Sequence, residues 1–164
     1  MRYNLIRKMD ISNGPGVRVS IFMQGCAFHC KNCFNPETWD FSGGQEFNDE
    51  TINEVLELGS KSHIKGLSIL GGEPMHPNNE AGTAKLAKAF KEKYPNKTVW
   101  MWSGFKFDEG LKDKEALKYV DVLVDGTYAD EFRNPSLKWK GSSNQRVIDV
   151  QESLKENKIV LFDK

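Results

Sequence analysis

Val17-Arg18-Val19-Ser20-Ile21-Phe22-Met23-Gln24-Gly25-Cys26-Ala27-Phe28-His29-Cys30-Lys31-Asn32-Cys33 is the stretch that decides how this chain is read. Val17, Val19, Ile21 and Met23 alternate with Arg18, Ser20, Phe22 and Gln24, a period of two that predicts a strand. Asn13-Gly14-Pro15-Gly16 before it reads as a turn, because Gly and Pro punctuate chains there. The strand runs straight into Gly25-Cys26, so the cysteines sit in a strand-to-helix connection at a strand's C-terminal end. All 3 cysteines of the chain fall here, spaced Cys-x-x-x-Cys-x-x-Cys.

The same plan recurs downstream. Asn48 is a cap, Asp49 and Glu50 suit a helix's first turn, and Ile52, Val55, Leu56 and Gly59 then share a helical face. Gly66-Leu67-Ser68-Ile69-Leu70 is a short buried strand ending in Gly71-Gly72-Glu73-Pro74. Thr83, Leu86, Ala87, Phe90 and Tyr94 line a second helix that Pro95 stops. Thr98-Val99-Trp100-Met101-Trp102 is a third strand, ending at Ser103-Gly104. A weaker helix is expected over residues 108–118. Val120-Asp121-Val122-Leu123-Val124 is a fourth strand, ending at Asp125-Gly126. The tail reads as a polar segment at 141–146, then Val147 and Ile148, a short helix near 151–156 and a last strand, Ile159-Val160-Leu161-Phe162.

Strand and helix alternate, which predicts an α/β fold with a parallel sheet. In such sheets the working groups lie beyond the carboxyl ends of the strands. The four best strands end in Gly25-Cys26, Gly71-Gly72-Glu73, Ser103-Gly104 and Asp125-Gly126, and these ends should meet on one rim. A complete eight-unit barrel takes roughly 250 residues. A chain of 164 residues is therefore expected to build an open, incomplete (β/α) barrel as one domain, residues 1–164.

Lys plus Arg number 23 and Asp plus Glu number 23. A balance of zero offers no broad attraction to nucleic acid or to an anionic membrane. The apolar runs are too short to span a bilayer, and the start of the chain has no apolar signal core, so a cytoplasmic location is expected. Three cysteines cannot all pair within the chain, and cytosolic thiols stay reduced.

Thiolates suit zinc, copper(I) and iron–sulfur clusters. A structural zinc site wants four ligands, so His29, His63 or His76 would have to be the fourth. A four-iron cluster ordinarily takes four cysteines, and with three one iron lacks a protein ligand. Redox thiols are a further reading of the spacing. The two glycines of Gly71-Gly72-Glu73-Pro74 allow close backbone approach, Glu73 adds a carboxylate and Pro74 stops the strand.

Cys-x-x-x-Cys-x-x-Cys followed by Gly-Gly-Glu-Pro resembles the radical S-adenosylmethionine enzymes. The resemblance implies that Cys26, Cys30 and Cys33 hold one 4Fe-4S cluster whose open iron binds the methionyl end of S-adenosyl-L-methionine. It implies that Gly71, Gly72, Glu73 and Pro74 form the methionine-side turn, and that Asn32 and Phe34, beside Cys33, touch the adenine end. The family often has an aromatic ring where this chain has Asn32. Asp10-Ile11-Ser12-Asn13-Gly14-Pro15-Gly16-Val17-Arg18 is similar to the glycyl-radical activating enzymes. Trp100-Met101-Trp102-Ser103-Gly104, Asp121-Val122-Leu123-Val124-Asp125-Gly126 and Gly141-Ser142-Ser143-Asn144-Gln145-Arg146 resemble the activating proteins of anaerobic (class III) ribonucleoside-triphosphate reductases.

That resemblance implies a radical oxidoreductase whose protein substrate is the anaerobic ribonucleoside-triphosphate reductase. A low-potential donor such as flavodoxin or ferredoxin supplies an electron, S-adenosylmethionine is cleaved to methionine and a 5′-deoxyadenosyl radical, and that radical takes a hydrogen atom from one glycine of the reductase. No acid–base residue is assigned beyond the cluster, because the cofactors carry the chemistry and the protein supplies position and shielding. Activation of another glycyl-radical enzyme, a small radical enzyme acting on a nucleobase and a zinc-binding interaction module stand as alternatives. Arg18 is read either as pairing near the cluster or the partner or as a structural ion pair. Asp125 is read as a turn residue or a contact to S-adenosylmethionine hydroxyls. Trp100 and Trp102 are read as core, and residues 142–145 as a polar loop or a cradle for the partner's glycine loop.

Overall fold

The structure is a computed structural model that describes residues 1–31, 33 and 36–162. Its centre is a mixed sheet of seven strands in the order β3-β1-β2-β4-β5-β6-β7. The strands are β1 (Arg2–Asp10), β2 (Val17–Met23), β3 (Gln45–Glu46), β4 (Ile64–Gly71), β5 (Thr98–Ser103), β6 (Val122–Asp125) and β7 (Arg146–Asp149). The helices are α1 (Asp49–Gly59), α2 (Glu80–Lys93) and α3 (Val150–Glu156).

The four strands expected from periodicity pair in parallel as β2, β4, β5 and β6. The sheet as a whole is not parallel. β1 and β3 extend one edge and β7 the other, all antiparallel to their neighbours. The expected final strand is reduced to a bridge between Leu161 and Ile148, since β7 holds the place beside β6. The helix expected at 108–118 is three short 3-10 turns, interrupted by Gly110 at φ 116°, a left-handed conformation that an α-helix cannot contain.

Alternation within each strand separates two faces. Val19, Ile21, Met23, Leu67, Ile69, Val99, Met101 and Leu123 share one core with Ile52 and Val55 of α1, Leu86 and Phe90 of α2 and Val150 of α3. The α1 start is fixed by a capping box, in which the Asn48 side chain accepts from the Thr51 N–H and the Thr51 hydroxyl accepts from the Asn48 N–H. The opposite face carries Arg18, Ser20, Phe22, Ser68, Leu70, Trp100 and Trp102.

Arg18 is fully buried at the starting ends of the parallel strands. Its guanidinium donates to Ser68 Oγ (2.8 Å), Thr98 Oγ1 (2.9 Å) and the carbonyls of Thr98 (2.8 Å), Leu67 (3.1 Å) and Pro15 (3.2 Å). Burial lowers its pKa to about 10, against the pull of Asp121 and Asp10. Among the described residues its partners are carbonyls and hydroxyls, so Arg18 is a hydrogen-bonding hub of the sheet. Trp100 is buried against Trp139 and Phe162, as its core reading expects. Trp102 is half-buried and lines the cavity described next.

Candidate functional site

The C-terminal ends of β2, β4, β5 and β6 surround a cavity of about 510 Å³. Its wall includes Cys26, Cys30 and Cys33, all half-buried, together with Gly71, Gly72 and Glu73, Ser103 and Gly104, and Gly126. The rim expected from the four strand endings therefore exists as one surface. Pro74 adjoins that wall in sequence and does not line the cavity. Asn32 and Phe34 lie outside the described residues.

The turn after β4 is stitched to the cysteine loop through its own backbone N–H groups. The Glu73 N–H donates to the Gly25 carbonyl (2.8 Å), and the Gly72 N–H to Thr38 Oγ1 (2.8 Å). The Gly25 N–H donates to the Thr38 carbonyl (2.6 Å) and the Cys26 N–H to the Trp39 carbonyl (3.2 Å), closing the loop that carries the cysteines. Gly71 and Gly72 are required by this close packing. A Cβ on Gly71, at φ 137°, would strike the Met23 backbone, and one on Gly72 would lie 2.6 Å from the Met23 carbonyl oxygen.

Glu73 is buried, and its carboxylate faces β5. Oε2 accepts from Ser103 Oγ (2.7 Å) and the Met75 N–H (2.9 Å), and Oε1 accepts from the Gly104 N–H (2.6 Å). Burial raises its pKa to about 7, and those three donors hold it from going further. Burial also pushes the Cys26 and Cys30 thiols up, helped by the nearby Glu73 charge. Binding of a thiophilic metal centre at these residues would displace thiol protons.

Among the described residues, no three Cys, His, Asp or Glu side chains converge as a ligand set for a single ion. None of the three histidines considered as a fourth ligand is among the cavity-lining residues. His29 is exposed and stacks on Trp39 at 4.5 Å. His76 accepts from the Asn78 N–H (3.1 Å) and lies against Phe41, and His63 precedes β4 at the far end of the strand. What the cavity does present is three soft sulfur donors on one loop, beside room for a further small molecule. That donor chemistry fits an iron–sulfur cluster.

Hydrogen bonds place two other groups that the sequence singled out. The Asp125 carboxylate is taken by Arg146 (3.0 and 2.6 Å) and the Phe107 N–H (2.8 Å), so it ties β6 to β7. The side chains of Ser142, Asn144 and Gln145 bond within the 126–145 segment, while Ser143 is exposed. Gln145 Oε1 accepts from the Gly141 and Ser142 N–H groups, Gln145 Nε2 donates to the Gly126 carbonyl, and Asn144 Nδ2 donates to the Thr127 carbonyl. They hold the 126–145 segment against the cavity, and that segment contributes Arg133, Trp139 and Lys140 to the wall. Trp102 Nε1 donates to the Trp139 carbonyl (2.7 Å), a contact without a sequence signal.

A family model described as a 4Fe-4S single cluster domain matches residues 12–148. An anaerobic ribonucleoside-triphosphate reductase-activating protein from Enterobacteria phage T4 is 42% identical over 90% of this chain and 93% of its own length. The proteins of the same name from Vibrio cholerae and Escherichia coli are 38% and 37% identical, over 88% and 90% of this chain and 96% and 97% of theirs.

Proposed function

The chain belongs to the family of anaerobic ribonucleoside-triphosphate reductase-activating proteins, with a 4Fe-4S single cluster domain, and from that premise we propose how it works. It activates an anaerobic ribonucleoside-triphosphate reductase by reductive cleavage of S-adenosylmethionine, leaving a glycyl radical on the reductase. The observation that carries this reading is the shared cavity. All three thiols and the Gly71-Gly72-Glu73 turn line one space at the strands' C-terminal ends.

A cluster bound there supplies a low-potential electron and one iron without a protein ligand, the position for the methionyl end of S-adenosylmethionine. Cys26, Cys30 and Cys33 would hold it. Gly71, Gly72, Glu73 and Pro74 form the methionine-side turn. Both oxygens of Glu73 are already taken by Met75, Ser103 and Gly104, so the turn offers backbone to the ligand while the carboxylate fixes its shape. Asn32 and Phe34 remain the proposed adenine contacts. The electron donor is proposed to be flavodoxin or ferredoxin.

The whole chain, residues 1–164, is read as one domain of the open, incomplete (β/α) barrel type. Support comes from the sequential order β2-β4-β5-β6 and from helices that all pack on one face, as they do around a barrel. An open wall suits a protein substrate. Exposed Arg133, Asn134 and Pro135 at the cavity leave an approach for a glycine-bearing loop. No helix among the described residues is long and apolar enough to cross a membrane, and a cytoplasmic location is proposed.

The test is anaerobic reconstitution with iron and sulfide, followed by reduction with dithionite in the presence of S-adenosylmethionine. The reading expects a brown protein that releases methionine and 5′-deoxyadenosine, and neither from Cys30→Ala. A protein that binds zinc in preference to iron, or a cluster that leaves S-adenosylmethionine intact, overturns it.

A further inference from the structure

The loop that carries the cysteines is closed where its ends meet, by the Gly25 N–H to the Thr38 carbonyl and the Cys26 N–H to the Trp39 carbonyl. Within it the Cys33 N–H donates to the Cys30 carbonyl (3.1 Å) and the Trp39 N–H to the Pro36 carbonyl (3.1 Å). At that closure one buried side chain also spans both ends. Gln24, directly before Gly25-Cys26, is 2% exposed. Its Nε2 donates to the Asp40 carbonyl (2.7 Å) and to the Glu37 carbonyl (3.0 Å), both beyond the last cysteine. Its own carbonyl accepts from Asn79 Nδ2 (3.2 Å), which also donates to the Glu73 carbonyl (2.9 Å).

Gln24 is therefore the point at which β2, the return of the cysteine loop and the Gly72-Glu73 turn are joined. Nothing about β2 requires an amide there, since the alternation of the strand is complete at Met23. The side-chain oxygen Oε1 is buried without a hydrogen-bond partner, so the group is held there for its two donor hydrogens. We propose that Gln24 is a positioning residue of the cofactor site, whose amide clamps the two ends of the cysteine loop and so fixes the spacing of Cys26, Cys30 and Cys33. The inference rests on the cluster reading above and adds a residue to it.

The clamp works by donation alone. Gln24→Glu keeps the shape and replaces the donors with acceptors, and Gln24→Leu removes the polar group altogether. Gln151→Leu is the control, because Gln151 Nε2 makes the same kind of bonds to the carbonyls of Leu117, Lys118 and Val120, away from the cavity.

Each protein is reconstituted anaerobically, and the rate of iron release to a chelator is followed by the loss of visible absorbance. The electron paramagnetic resonance spectrum of the reduced protein is recorded beside it. Gln24→Glu and Gln24→Leu are expected to release iron at least tenfold faster than the native chain, with a broadened spectrum. Gln151→Leu is expected to match the native chain on both counts. Native rates from both Gln24 variants, or equal acceleration in Gln151→Leu, overturn the proposal. Failure of the native chain to take up iron overturns instead the cluster reading beneath it. If Gln24→Leu does not fold, Gln24→Glu decides alone.

Discussion

Glu73 and Gly25 are joined backbone to backbone, N–H to carbonyl, at 2.8 Å. The residue before the first cysteine and the carboxylate residue of the Gly-Gly-Glu-Pro turn thus move as one unit, although 48 positions separate them in the chain. The bond requires β2 and β4 to approach closely at their C-terminal ends, and the two glycines before Glu73 permit it.

Gly71→Ala tests that approach. The new Cβ would collide with the Met23 backbone, at a φ that alanine rarely adopts. A cost of roughly 3 kcal/mol is expected from overpacking and strain together. Urea unfolding of the apo chain should show it, and reconstituted iron per chain should fall in parallel.

Glu73 makes stability depend on pH with a predictable sign. Its pKa in the fold is raised to about 7, above its ordinary value of 4.5, because burial disfavours the charge. Between those values the folded chain binds more protons than the unfolded one, so stability falls as pH rises. The melting temperature of the apo protein should decline from pH 5 to pH 7.5. In Glu73→Gln this component should vanish, and the difference between the two profiles is the measurement.

The parallel centre of this fold was legible in its sequence, and the edges were not, for a physical reason. β2, β4, β5 and β6 are covered on their core face, so apolar residues had to recur at period two. β1 is covered on its outer side only by the two residues of β3, Leu5, Met9 and neighbouring charges are exposed, and its sequence carries no such clean alternation. β3 pairs through only Arg2 and Tyr3 of β1 and is too short to leave a pattern. At the site, the cysteines and the Gly-Gly-Glu-Pro turn could be recognised, because chemistry fixes their residue types and spacing. The aim of the Glu73 carboxylate toward Ser103 and Gly104, the closure through Gln24 and the bond of Gln145 to Gly126 depend on contacts between distant segments, which local pattern does not encode.

Arg18 is a buried charge satisfied by hydroxyls and carbonyls across three segments. Arg18→Met is expected to strand those acceptors and to destabilise the apo protein by about 2–4 kcal/mol. The effect belongs to the opposite ends of the strands from the cysteines. Iron content per folded chain should therefore stay near the native value, as measured by metal analysis of the soluble fraction.

Asp125 and Arg146 join β6 to β7 beside the cavity, with Asp125 buried and Arg146 about a third exposed. A double-mutant cycle of Asp125→Asn and Arg146→Met should give a coupling of about 1–3 kcal/mol in urea unfolding. Additive single effects would mean that the pair contributes only packing.

The most direct test of the account places the radical on the partner. The reconstituted, reduced chain is mixed anaerobically with an anaerobic ribonucleoside-triphosphate reductase and S-adenosylmethionine, and the reductase is examined by electron paramagnetic resonance. The account predicts a glycyl doublet that grows with 5′-deoxyadenosine and is missing with Cys30→Ala. A silent reductase in the presence of an intact cluster and S-adenosylmethionine would contradict it.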